Sequence, residues 1–238
     1  MTAADRPLGA PLPDFMPPPH PRGVTLSGHY GWLRPLRTAD DAGPLFAHFK
    51  DSPWVFDYLG EAPPADVETL QSLLAAWAAR ADCEIFAIGA AGSIDPLGYA
   101  CLMSVVPAAG DIEIGNVNLS PTLQRTPLAT QAFGLMLAWA FEVGYRRVVW
   151  KCNALNAPSR RAAQRLGFSY EGVFRNHLIV KGRNRDTAWF AMTDSDWLVT
   201  GPAYAAWLDP RNFDDQGLQR TALGTLTAPH LVNRDPTL

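Results

Sequence analysis

The residues of this chain whose types could do chemistry fall in a few places. Gln124-Arg125-Thr126-Pro127 is a short polar turn that follows a β-rich run (Ile112, Ile114, Val117, Leu119) and opens a helix at about Leu128 and Ala129. The first backbone N–H groups of a helix have no internal partner and sit at the positive end of its dipole, so a strand–turn–helix join offers a cradle for an anion such as phosphate. Arg125 and Thr126 add a cation and a hydroxyl. An ordinary crossover loop, with a proline fixing the first helical turn, has the same appearance. Further on, Asn156 and Ser159 lie one turn apart at the start of another helix and share a face. A serine in that position also commonly satisfies backbone donors. Glu113 and His177 are candidates for proton uptake. The glutamate could instead be a cross-strand partner for an arginine, and a strand histidine is more often structural.

The elements that must position these residues can be read from spacing. Residues 31–36 form a first strand, and Thr38 opens a helix that buries Leu45, Phe46 and Phe49. Asp66 caps a second helix, with Val67, Leu70, Leu73, Leu74 and Trp77 at helical intervals. Strands follow over 85–88, 97–106 and 111–119, then a helix over 128–143 closed by Gly144. A strand over 147–152, a helix ending at Gly167, strands over 169–180 and 186–192, and a helix over 197–208 capped by 194–196 complete the order. This is an α+β chain with helices on both faces of a mixed, mostly antiparallel sheet. Residues 1–22 contain seven prolines (7, 11, 13, 17, 18, 19 and 21) and read as an extended, flexible arm, and the chain from 209 onward reads as peripheral.

Composition removes some classes. A hydrophobic share of 47% and a net charge of −3 suit a globular protein and argue against non-specific nucleic-acid binding. Cys83, Cys101 and Cys152 have no metal-ligand spacing, so no metal is expected, and a reducing cytoplasm is the expected compartment. No apolar run approaches membrane-spanning length.

The stretch from Asp111 to Phe168, with its flanks, resembles the acyl-CoA-dependent N-acetyltransferases of the GNAT superfamily, in the branch of the ribosomal-protein alanine acetyltransferases. Glu113-Ile114-Gly115, Gln124-Arg125-Thr126-Pro127-Leu128-Ala129, Asn156-Ala157-Pro158-Ser159, Arg161, Arg165-Leu166-Gly167-Phe168 and Glu171-Gly172 carry the likeness, which spans roughly residues 32–197. It implies a catalytic domain over 23–197, a C-terminal helix and tail over 198–238, and a sheet that splays between the 111–119 and 147–152 strands. It also implies acetyl-CoA as acyl donor and an amine as acceptor. The pantetheine arm would pair with backbone at Val117 to Leu119 and with Asn156. Gln124, Arg125, Thr126, Leu128, Ala129 and Arg161 would meet the phosphates, and Ser159 would face the thioester sulfur. Glu113 ranks ahead of His177 as base, with a water-mediated or unassisted route open.

There are two departures. Pro127 replaces the first glycine of the family loop and removes one N–H. Glu-Ile-Gly stands one residue further from the loop than in relatives, a difference that a β-bulge would absorb. Another acyl donor, such as succinyl-CoA, and a non-catalytic acyl-CoA binder are the alternatives. The aromatic residues Trp197, Tyr204, Trp207 and Phe213 suggest a homodimer contact shared with the 181–185 hairpin. Trp32, Trp54, Phe56 and Tyr58 could line the acceptor side.

Overall fold

The computed structural model describes residues 8–238. Eight strands form one sheet: β1 (Leu26–Ser27), β2 (Gly31–Pro35), β3 (Glu84–Ala90), β4 (Pro96–Val106), β5 (Asp111–Leu119), β6 (Arg147–Asn153), β7 (Ser169–Val180) and β8 (Arg183–Thr193). Their spatial order is β1-β2-β3-β4-β5-β6-β8-β7. Every neighbouring pair is antiparallel except β5 with β6. The helices are α1 (Thr38–Phe49), α2 (Val67–Ala78), α3 (Pro127–Glu142), α4 (Ala157–Arg165), α5 (Asp194–Leu208) and α6 (Leu223–Thr227). The expected α+β architecture is therefore present.

Strand alternation sorts the core onto two faces. Leu102, Ile112, Ile114, Val148, Trp150 and Phe190 meet α3 and α4 on one face. Ile85, Ala87, Tyr99 and Cys101 meet α1 and α2 on the other. Burying large side chains this way, at about 25 cal/mol per Å² of apolar surface, is what holds the helices on the sheet.

Two features of β5 set up the rest of the molecule. The first is the split. β5 pairs with β6 only at Asp111↔Arg147, Ile112↔Val148 and Glu113↔Val149. Beyond Glu113 the two strands diverge, and β5 keeps only β4 as a partner. The second is a bulge. Tyr99 faces Asn118 and Cys101 faces Gly115, so β5 carries one extra residue. Asn116 takes it up at φ 45°, left-handed backbone that asparagine tolerates better than most residues. The bulge reverses the alternation. Ile112 and Ile114 face α3 before it, and Val117 and Leu119 pack on that same core after it.

The termini differ from expectation. Residues 1–7 of the Pro-rich arm lie outside the described residues, but the portion from Phe15 to Pro21 is laid on the chain's own domain. Pro18 and Pro21 are buried, the Tyr145 hydroxyl donates to Pro19 O at 2.9 Å, and the Arg146 guanidinium stands over the Phe15 ring. A proline-rich segment has little chain entropy to lose, so a few such contacts suffice to hold it.

The C-terminal segment is not peripheral either. Its polar composition conceals buried anchors, including Leu223, Thr227 and Asp235. Tyr204 and Trp207 are buried, and Trp197 and Phe213 pack on the same core. These aromatics find their cover within one chain, which removes the reason to expect a dimer contact there. The last long helix also begins earlier than expected, at Asp194. Thr193 is its cap, in a reciprocal capping box with Asp196.

Candidate active site

The split between β5 and β6 is the place where a ligand can meet unpaired backbone. Ser120 donates its N–H to Leu97 O on β4 at 3.2 Å. Backbone groups alternate sides along a strand, so Leu119 and Val117 turn theirs to the opposite edge, into the split. The Gln124 side chain agrees with this direction, since its Nε2 donates to Leu119 O at 2.9 Å. Gln124 thus braces the strand end, a different role from the phosphate contact expected of it.

The loop into α3 is partly committed to its own helix. Thr126 is the N-cap. Its hydroxyl accepts the Ala129 N–H at 3.1 Å and donates to Leu123 O at 2.7 Å. That hydroxyl and the Ala129 N–H are paired with each other here, where the family likeness implies a phosphate contact for both. Among the described residues no protein acceptor meets the N–H of Arg125, Thr126 or Leu128. Arg125 is exposed with φ 60°, and Pro127 occupies N1, where a missing N–H costs the helix nothing. A cradle remains, made of three N–H groups, the helix dipole and one cation.

Across the split, β6 and the start of α4 present a hydroxyl. Asn156 caps α4, its Oδ1 accepting the Ser159 N–H at 3.1 Å. Ser159 is therefore the capped residue, not the cap. Its Oγ accepts the Trp150 indole N–H at 3.0 Å. With that oxygen oriented by a donor, the serine proton is left to point elsewhere. Cys152 lies beside it. Burial pushes the Cys152 thiol up, with the Ser159 hydroxyl acting in the opposite direction, so the cysteine stays protonated and apolar. Arg161 is exposed on the same helix.

Arg160 is different: it is buried, its Nε and Nη2 each donate to Asp235 at 2.6 Å, and its Nη1 donates to Ala154 O at 2.8 Å. Nothing in the sequence near Arg160 signals this partner.

Glu113 stands on the last paired rung before the split, on the face opposite Ser159. Its Oε2 accepts the Ser104 hydroxyl at 3.0 Å and pairs with Lys151 Nζ at 2.7 Å. Oε1 accepts no hydrogen bond from the described residues. Gly115 makes room for this carboxylate, because a Cβ there would stand 3.0 Å from Glu113 Oε1 and 2.6 Å from Met103 Sδ. A cross-strand ion pair is present, but its cation is Lys151 and not the arginine expected.

From Lys151 the same face continues outward. Lys151 Nζ stands 4.7 Å from the Trp189 ring centroid, and Phe174 and His177 edge that ring in turn. His177 is exposed at a bulge in β7, its Nδ1 3.0 Å from Thr187 Oγ1. β6 and β8 separate β7 from β5, so at about 4.8 Å per strand Glu113 and His177 are separated by about 14 Å across the sheet, with a further offset along the strands, and do not touch.

The hairpin between β7 and β8 does not hang in solvent. Lys181 Nζ donates to Phe56 O at 2.8 Å, Asp57 O at 3.1 Å and Glu61 O at 3.2 Å. It ties the hairpin tip to the α1–α2 loop, whose Pro53–Phe56 turn packs against β5. Lys181 is thus an anchor within the chain, at the tip of the hairpin expected at a dimer contact. Of the expected acceptor-side aromatics, Trp54 and Tyr58 are exposed on that loop and Phe56 is buried. Trp32 instead packs over Gly89 at the β2–β3 pair, far from the split.

An antiparallel sheet broken by one parallel, splayed pair, with a helix N-terminus beside the opening, is a recognisable arrangement. Residues 32–169 match the acetyltransferase (GNAT) domain family. The chain belongs to the GNAT family of N-acetyltransferases and is an acyl-CoA-dependent acetyltransferase.

It is 40% identical to a GCN5-related N-acetyltransferase from Brucella melitensis, with a TM-score of 0.87 and coverage of 91% of this chain and 100% of that one. It is 37% identical to a probable GNAT-family acetyltransferase from Chromobacterium violaceum, with a TM-score of 0.78, over 81% and 97% of the two chains. RimJ of Mycobacterium smegmatis, solved with CoA-disulfide, shares the fold at 22% identity and a TM-score of 0.61, over 76% and 91%. No curated protein matches the chain. Among the described residues no helix is long and apolar enough to cross a membrane, and no cluster of side chains could hold a metal ion.

Proposed function

We propose that this enzyme passes an acetyl group from acetyl-CoA directly to a primary amine, a protein N-terminus or a small molecule, while both substrates are bound. The observation that carries this reading is the Ser159 hydroxyl, held by the Trp150 indole N–H at the edge of the split. Val117 and Leu119 supply backbone groups for the pantetheine amides, and Asn156 supplies its amide NH₂. Arg125, Arg161 and the N–H groups of Arg125, Thr126 and Leu128 bind phosphate.

Holding the thioester carbonyl against the amine replaces a bimolecular encounter with a fixed geometry, and this accounts for much of the rate. Ser159 gives its proton to the departing sulfur and takes one back from solvent water. Glu113, through Oε1 and a water molecule, takes the proton that the amine loses. Lys151 holds Glu113 in place.

Release of free thiol from acetyl-CoA over a panel of N-terminal peptides and small amines tests the proposal. Succinyl-CoA in a parallel arm decides the donor. Tight binding of acetyl-CoA with no turnover on any amine would make the chain a non-catalytic binder. No binding at millimolar concentration would end the reading altogether.

A further inference from the structure

We propose that Asp235, 75 residues from its partner in sequence, is a positioning residue for the acyl-CoA side of the site. The proposal rests on the acetyltransferase reading above. Asp235 is buried at 4% exposure and lies in a C-terminal strap outside the 32–169 family match.

It is a hub. Its carboxylate receives Arg160 Nε and Nη2, and also the Thr237 N–H and hydroxyl at 3.0 and 2.9 Å. Its own N–H donates to Gln164 Oε1 at 2.7 Å, one turn further along α4. The strap is held again where Val232 N–H donates to Ser169 Oγ and Tyr170 N–H donates to Asn233 O.

What the hub controls is the loop that carries Asn156 and Ser159. Arg160, fixed by Asp235, uses its remaining nitrogen on Ala154 O. Ala154 N–H in turn donates to Asp186 O on β8 at 2.9 Å. The residue between β6 and α4 is therefore clamped from both sides, and one of those clamps depends on the C-terminus. A guanidinium buried this deeply needs its counter-charge. Without Asp235 it would turn toward solvent and release Ala154 O. The start of α4 would then lose the restraint that sets Asn156 and Ser159 relative to β6.

Misplacement of a reacting group by about an ångström costs on the order of 100-fold in rate. Asp235→Asn and Arg160→Lys are therefore each expected to lower kcat roughly 10- to 100-fold, with a smaller rise in KM for acetyl-CoA. Arg160→Lys keeps a cation near Asp235 but cannot reach both Asp235 and Ala154 O, so it tests the relay while preserving charge.

The experiment is steady-state kinetics on both variants, well below their melting temperatures, after calorimetry of wild-type protein with acetyl-CoA. If Asp235→Asn does not fold, Arg160→Lys decides the question. If the folded variants turn over within two-fold of wild type and only melt earlier, Asp235 is a structural clasp and the proposal fails. If wild-type protein does not bind acetyl-CoA, the acetyltransferase reading fails instead, and the calorimetry separates the two cases.

Discussion

Trp150 donates its indole N–H to the hydroxyl oxygen of Ser159 at 3.0 Å, linking the strand beyond the split to the first turn of α4. Trp150 is itself buried between Phe133 and Phe168, so the donor cannot drift. An oxygen that already accepts a bond in a fixed direction has its proton confined to the remaining directions, and a hydroxyl so polarised is a better donor.

Replacing Ser159 with alanine should therefore lower kcat more than it raises KM for acetyl-CoA. General acid catalysis is worth roughly 10²–10⁴-fold, and water can substitute in part, so a loss near the lower end is expected. Stability should fall by about 1–3 kcal/mol, because the α4 cap is Asn156 but the buried Trp150 N–H loses its partner. A melting point lowered with kcat unchanged would show that Ser159 does nothing but satisfy Trp150.

Gly115 should prove as sensitive as a catalytic residue although it has no side chain. A methyl group there meets Met103 Sδ and Glu113 Oε1. Gly115→Ala is expected to cost about 1–3 kcal/mol from overpacking and to lower turnover by displacing the carboxylate. Adding Met103→Ala should restore stability, since the methionine is the more yielding neighbour, while leaving turnover low. Full recovery of turnover in the double variant would argue against a role for the Glu113 position in proton uptake.

Much of this arrangement was legible in the chain itself. The apolar spacing Ile112, Ile114, Val117, Leu119 breaks strict alternation by one residue, and the bulge at Asn116 is where the break falls. Asn156 three residues before Ser159, followed by Pro158, marks a capped helix start by local rules alone. The Arg160–Asp235 pair and the Lys181 tether were not legible. Each joins residues 75 to 125 positions apart, and nothing local distinguishes a buried arginine or an anchored lysine from a solvated one. The Thr126 hydroxyl has a local role that the family likeness does not convey. It caps α3 by accepting the Ala129 N–H.

Asp111 should give the enzyme a measurable acid-side stability signature. Burial raises its pKa, with Arg147 acting in the opposite direction and Glu113 adding to the rise. A carboxyl whose folded pKa lies above its unfolded value favours the folded state below the unfolded pKa and loses that contribution as pH climbs through the folded pKa. Wild-type protein should therefore lose this contribution between pH 3.8 and the raised value. Asp111→Asn should not, and Arg147 would keep its two bonds to Glu171. The melting point of the variant should exceed that of wild type at neutral pH and converge with it in acid. Because Asp111 is a third exposed, the difference should be small. A variant less stable than wild type at neutral pH would mean that the Arg147 attraction outweighs the cost of burial.

Lys181 closes the other side of the molecule, and its removal should be felt by the acceptor alone. Its ammonium group holds three carbonyls of the α1–α2 loop, keeping that loop and the β7–β8 hairpin together over the Glu113–Lys151–Trp189 face. Of the acyl-CoA groups proposed above, those at the starts of α3 and α4 stand apart from both segments, while Val117 and Leu119 lie on β5, against which the loop's Pro53–Phe56 turn packs. In Lys181→Met the hairpin tip should swing free. The loss of a partly exposed charged anchor is worth about 1 kcal/mol. That converts to a rise of roughly five-fold in KM for the amine if the arch shapes its entry. Affinity for acetyl-CoA, measured by calorimetry on the same variant, should stay within error of wild type. A variant that weakens acetyl-CoA binding as much as amine binding would show that the tether holds the whole sheet, and the hairpin would lose its claim to the acceptor side.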